Sequence, residues 1–116
     1  MAYVLAFARG VVANDASLKS GGWAKMPGAC LAERVVGLIG LGSVGRAVAR
    51  RAAAFGAAVL AVDPVPPEQA FLDAHPCVRM TSLQDVLRSA NFLVLCCDLN
   101  PGAPLLRARR CLRMPR

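Results

Sequence analysis

The stretch Val35-Val36-Gly37-Leu38-Ile39-Gly40-Leu41-Gly42-Ser43-Val44-Gly45-Arg46-Ala47-Val48-Ala49-Arg50 reads as an apolar strand, a glycine-rich turn and a helix in immediate succession. Each glycine has a physical task. Gly40 suits the tight turn off the strand, Gly42 leaves room for a pyrophosphate against the backbone, and Gly45 lets the helix pack closely on the sheet. The helix N-terminus offers free N–H groups to phosphates. Eighteen residues beyond Gly45, Asp63 closes a second apolar run, Ala58-Val59-Leu60-Ala61-Val62. A carboxylate there can accept both hydroxyls of an adenosine ribose and would repel a 2'-phosphate, so the pattern predicts a dinucleotide site that takes NAD and not NADP.

Glycines at this spacing alone also describe a flexible surface turn. The flanking strand, the helix and the distal acid together make the dinucleotide reading. A methyltransferase-type domain, which likewise has a glycine-rich first turn and an acid after its second strand, is the competing one.

Working outward, 116 residues of which 56% are hydrophobic supply one core. Strands buried on both faces account for so apolar a chain, because parallel sheets read as continuous apolar runs; Phe92-Leu93-Val94-Leu95-Cys96-Cys97 is a third such run. No run approaches the roughly 18 residues needed to span a bilayer. The opening Met1-Ala2-Tyr3-Val4-Leu5-Ala6-Phe7-Ala8 lacks a basic leader and meets Arg9 at once, unlike an export signal. Five cysteines (Cys30, Cys77, Cys96, Cys97, Cys111) form no CxxC pair. They read as reduced, mostly buried thiols of a cytoplasmic protein, with Cys96 and Cys97 on opposite faces of a strand and no metal site.

The net charge of +7 invites a nucleic-acid reading, but five of the arginines (Arg107, Arg109, Arg110, Arg113 and Arg116) lie within the last ten residues. Without them nine basic residues face seven acidic ones. Arg46, Arg50 and Arg51 read as the solvated face of the first helix, with Val44, Ala47, Val48, Ala52 and Phe55 as its apolar stripe. No nucleic-acid-binding motif accompanies the charge, and neither nucleic acid nor membrane is expected as a partner.

Along the chain, residues 1–9 read as the end of an apolar helix and 10–27 as a polar connection holding the only tryptophan, Trp23. Strand 35–39, helix 43–55 and strand 58–62 make a βαβ unit, with Gly56 as the helix stop. A helix at about 68–74, a weak strand at 78–80, a helix at 83–89 capped by Thr81 or Ser82, and a strand at 92–97 follow. The predicted fold is an α/β, incomplete Rossmann-type doubly wound parallel sheet of about four strands with flanking helices. Residues 1–30 form the leading helix and connection, 31–103 the partial dinucleotide-binding domain, and 104–116 a basic tail that starts another helix. Such a sheet leaves an edge and apolar surface for neighbours to cover.

With these residues placed, the chain resembles the NAD-binding domain of the D-isomer-specific 2-hydroxyacid dehydrogenases. Residues 36–64 carry the central signature, and Lys19-Ser20-Gly21-Gly22-Trp23 is similar to the family's basic-x-Gly-x-Trp element. Ser89-Ala90-Asn91 looks like the family's "S-D" before the fourth strand, with Asn91 replacing aspartate. Leu95-Cys96-Cys97-Asp98-Leu99-Asn100-Pro101 corresponds to its "L-H-x-P-L-T-P" loop, with Asp98 and Asn100 replacing proline and threonine.

The resemblance implies NAD held at Gly40, Gly42, Ser43, Val44 and Gly45 around the pyrophosphate, at Asp63 on the adenosine ribose, and near Cys97 beside the nicotinamide half. Ser43 stands where many relatives carry arginine, and also reads as a helix N-cap. The implied reaction interconverts D-2-hydroxy acids and 2-keto acids by hydride transfer, with an Arg clamping the carboxylate and a Glu-supported His as acid/base. The clamp's "G-A-x-x-x-N-x-x-R-G" strand would follow Arg116, and the one histidine, His75, precedes the weak strand as a plain loop residue. No catalytic residue is assigned in this chain; the substrate belongs to the complete enzyme. A non-catalytic NAD-sensing or protein-interaction module, resembling the corepressors that share this domain, is the alternative. A homodimer through residues 1–23 is the family's implied assembly.

Overall fold

A computed structural model describes residues 1–24 and 26–97 of the chain. The fold is organised around β1 (Val35–Ile39), four of whose five residues are buried. On one side β1 pairs in parallel with β2 (Ala58–Val62), from Val35 opposite Ala58 to Ile39 opposite Val62. On the other it pairs in parallel with β4 (Phe92–Leu95), from Val36 opposite Phe92 to Ile39 opposite Leu95. The short β3 (Val78–Met80) adds to β2, so the sheet runs β3-β2-β1-β4. Among the described residues the far edge of β4 has no strand beside it.

A helix follows each of the first three strands: α3 (Ser43–Ala54), α4 (Gln69–Ala74) and α5 (Leu83–Ser89). Parallel neighbours require such crossovers, since a tight turn can only reverse a strand. Val36, Leu38, Val59 and Val86 are the largest fully buried side chains, and they place the core between sheet and helices. The α/β sheet of four parallel strands is the one expected, with β1, β2 and β3 at the predicted residues.

Helix α3 buries only part of the predicted stripe, Ala52 and in part Val48, and adds Gly45 and Ala49 to it. Gly45, Ala49 and Ala52 are its buried residues, Val48 is partly buried against the core, and Val44 and Phe55 stand 62% and 49% exposed. Ala49 and Ala52 join the core cluster with Val36, Leu38, Val59 and Ala61, where small side chains let the helix pack, and Val44 and Phe55 are left on its flanks.

Residues 10–27, read as a connection, contain helix α2 (Val11–Lys19), which follows α1 (Ala2–Ala8) after a break at Gly10. Its sequence has no apolar stripe and none of its residues is buried, so periodicity had nothing to detect. Local bonds hold it: Lys19 pairs with Asp15 at 2.8 Å, while Asn14 donates to the Arg9 carbonyl and accepts the Met26 N–H.

Strand β4 stops at Leu95, two residues short of expectation. The Cys96 N–H still reaches the Ile39 carbonyl at 2.7 Å, but Cys97 lies in a bend, so the two thiols do not alternate across a strand. None of the described cysteines is buried: Cys30 is exposed, and Cys77, Cys96 and Cys97 are half-buried, all four as free thiols. Cys111 and the basic tail at 104–116 lie outside the described residues. No described helix is long and apolar enough to cross a membrane.

Candidate cofactor site

Where β1 ends, its two neighbours diverge in chain order, and a doubly wound sheet opens a crevice at the carboxyl ends of the strands flanking such a reversal. The glycine-rich turn lies there. Gly40 adopts φ +97°, a region closed to most side chains, and its N–H donates to the Val62 carbonyl at 2.9 Å. A β-carbon at Gly40 would stand 2.7 Å from the Cys97 nitrogen and 2.8 Å from the Cys96 carbonyl carbon, so the turn lies flush against the chain leaving β4.

Gly45 is required for a related reason. A β-carbon there would run into the Gly40 carbonyl oxygen and reach 3.6 Å from the Cys96 β-carbon. Its small size thus serves the contact of α3 with the turn, more than with the sheet face that the sequence suggested. Gly42 is different: among the described residues nothing lies within 4 Å of where its β-carbon would be, and its φ of −67° and ψ of −160° are open to any residue.

Gly42 is itself the N-cap of α3, and Ser43 is the first helical residue, so the N-cap reading of Ser43 is corrected by one position. Gly42 has no side chain to cap the helix, and among the described residues none supplies a cap in its place; Ser43 and Val44 are exposed in its first turn. A hollow of about 420 Å³ brings these two together with Met1, Ala47, Val48 and Arg51, and does not include Gly42 or Asp63.

Asp63, half-buried, is already engaged. One carboxylate oxygen accepts the Leu41 N–H at 2.6 Å and the other the Val65 N–H at 2.8 Å. The acid therefore shapes the turn as well as facing its end, and each oxygen keeps a second lone pair for another donor. Beside the turn, burial and then the neighbouring Cys97 push the Cys96 thiol up, holding it protonated.

Sequence reasoning missed Arg46. Its Nε donates to the Leu41 carbonyl at 3.2 Å, its guanidinium lies 5.8 Å from the centre of the Phe71 ring, and Nη1 is 3.9 Å from Glu68 Oε1. A reading of its helix as a solvated basic face concealed a residue adjacent in sequence to Gly45 and within reach of the turn. His75 stacks on Phe71 with its Nδ1 2.8 Å from the Phe71 carbonyl oxygen, in keeping with a structural role. Among the described residues no group of His, Cys, Asp and Glu could hold a metal.

A parallel sheet reversing at β1, a close-packed turn with one open glycine and an acid at the end of β2 define a dinucleotide-binding α/β domain. Residues 1–115 match the family described as D-isomer specific 2-hydroxyacid dehydrogenase, NAD binding domain, and the chain belongs to that family. The family's cofactor is NAD. D-3-phosphoglycerate dehydrogenase of Mycobacterium tuberculosis is 41% identical over 96 residues, covering 80% of this chain and 18% of its own length. Hydroxypyruvate reductase of Thermotoga maritima is 44% identical over 70 residues, 59% of this chain and 23% of the relative. The D-isomer specific 2-hydroxyacid dehydrogenase of Lactobacillus delbrueckii ssp. bulgaricus, solved in an NAD complexed form, superposes with a TM-score of 0.73 at 27% identity, covering 86% of this chain and 30% of that one. The chain thus spans about a fifth of the length of the curated relatives it matches.

Proposed function

We propose that this chain is the NAD(H)-binding portion of an oxidoreductase that interconverts D-2-hydroxy acids and 2-keto acids. The observation that carries the reading is Gly42. Unlike Gly40 and Gly45 it has neither a strained backbone nor a β-carbon position crowded by the described residues, and this supports a space for a ligand beside it. An approaching pyrophosphate is what that space fits.

In this reading Gly40, Gly42, Ser43, Val44 and Gly45 surround the pyrophosphate, with backbone N–H groups at the uncapped start of α3 turned to its charge. Asp63 accepts the adenosine ribose hydroxyls on its remaining lone pairs and repels a 2'-phosphate, which selects NAD. Cys97, in the bend beside Gly40, lies on the nicotinamide side. When bound, NAD supplies the hydride acceptor, or NADH the donor; this chain's residues bind and orient it. The keto acid or hydroxy acid is handled by the complete enzyme.

A homodimer through residues 1–23 fits the same reading, since Tyr3, Phe7, Val12 and Trp23 are 75–89% exposed on or beside α1 and α2. The four free thiols support a cytoplasmic setting.

Calorimetric titration of NADH and NADPH into the chain tests the proposal. NADH should bind, NADPH far more weakly. A cooperatively folded chain that takes up neither would overturn it.

A further inference from the structure

We propose that Arg46 is a positioning residue that fixes the glycine-rich turn in its cofactor-accepting shape through the Leu41 carbonyl; this rests on reading that turn as the dinucleotide cradle. Leu41 stands between two glycines, where the chain has least intrinsic resistance to rotating its peptide planes. Both of its backbone groups are nevertheless held by side chains. The N–H is bound by Asp63, 22 residues away, and the carbonyl by Nε of Arg46, five residues away. A flip of either adjoining peptide would break one of these bonds.

Arg46 is held in its turn. Its side chain is only 32% exposed, and its guanidinium lies over Phe71 of α4. The contact with Glu68 at 3.9 Å is weak, since the Glu68 side chain is 81% exposed. The aromatic shelf and the hydrogen bond are therefore what set its position. Through Arg46 the turn, the start of α3 and helix α4 are tied together, and Asp63 ties the loop after β2 to the same residue, Leu41. A cradle so fixed has less conformational freedom to lose when a ligand binds.

Arg50 gives an internal control. Its guanidinium lies 5.9 Å from the same Phe71 ring, and it carries the same charge, but it makes no hydrogen bond to the turn. NADH titration and thermal melts of Arg46→Met and Arg50→Met separate the two roles. Arg46→Met should bind NADH roughly three- to tenfold more weakly, the loss of one such bond, while Arg50→Met keeps the wild-type affinity. A merely structural contribution through Phe71 would lower both melting points and move neither affinity.

If Arg46→Met does not melt cooperatively, Arg46→Lys carries the test, since it keeps stem and charge and places a methylene where Nε stood. It should show the same weakening. Unchanged NADH affinity in the folded Arg46 variant, or equal weakening in the Arg46 and Arg50 variants, would overturn the inference alone. Failure of the wild-type chain to bind NADH would overturn the cradle reading, and the inference with it.

Discussion

Asn91 and Val35 hold each other by two hydrogen bonds: the Asn91 side-chain oxygen accepts the Val35 N–H at 2.9 Å, and the Asn91 N–H donates to the Val35 carbonyl at 2.9 Å. The pair pins the starts of β1 and β4 in register. Where the family pattern has aspartate, the amide keeps the acceptor and sheds the charge. Replacing Asn91 by alanine should cost about 1 kcal/mol in a urea melt, and Asn91→Asp should stay within about 0.5 kcal/mol of wild type. Equal stability of the alanine variant would mean that water replaces the bond at no cost.

The glycines of the turn should separate by experiment. Gly45→Ala forces a β-carbon onto the Gly40 carbonyl and should destabilise the fold by at least about 2 kcal/mol, read by circular dichroism. Gly42→Ala meets open space and should leave stability within about 0.5 kcal/mol of wild type, yet weaken NADH binding at least about tenfold, or 1.4 kcal/mol. A Gly42→Ala chain that binds like the wild type would remove the main support for the cofactor site.

Asp63→Asn is expected to be a folding variant as well as a binding one. Both carboxylate oxygens accept backbone N–H groups, so an amide must either turn its NH2 toward one of those donors or rotate away from both. A lowered melting point, by about 1–3 kcal/mol of stability, should accompany weaker NADH binding. Loss of binding with an unchanged melt would mean that Asp63 does not brace the turn.

Helix α5 should carry an acid-dependent share of stability. The Ser82 hydroxyl, then that of Thr81, hold the Asp85 carboxyl below its ordinary value. The unfolded chain therefore takes up this proton first. The contribution is present above about pH 4 and is lost as pH falls below that, through the folded value. Ser82→Ala removes the leading cause together with the cap on the Asp85 N–H. It should cost about 1 kcal/mol at neutral pH and make the decline below pH 4 shallower in melts taken across the acid range.

Much of this was legible in the residues. Strands β1, β2 and β3 and helix α5 announce themselves because apolar runs and caps are local signals. Gly40 and Gly45 do so because a turn between strand and helix has few solutions. Helix α2 could not be read, since nothing it buries marks a face. The inward stripe of α3 is only partly legible, Ala52 and Val48 but not Ala49, because how near a helix approaches a sheet is a tertiary fact. For the same reason the double engagement of Asp63 and the reach of Arg46 to Leu41 were hidden: each depends on where a loop passes once the sheet is assembled.

The strand order also has a consequence in time. During synthesis β1 can find β2 as soon as Val62 has emerged, but its other edge waits for Asn91, 56 residues beyond Val35. At about 5–20 residues per second this leaves one side of the most buried strand bare for several seconds. The nascent chain is then most prone to pairing with the wrong partner, and a slow stretch of translation between β2 and β4 would lengthen that exposure.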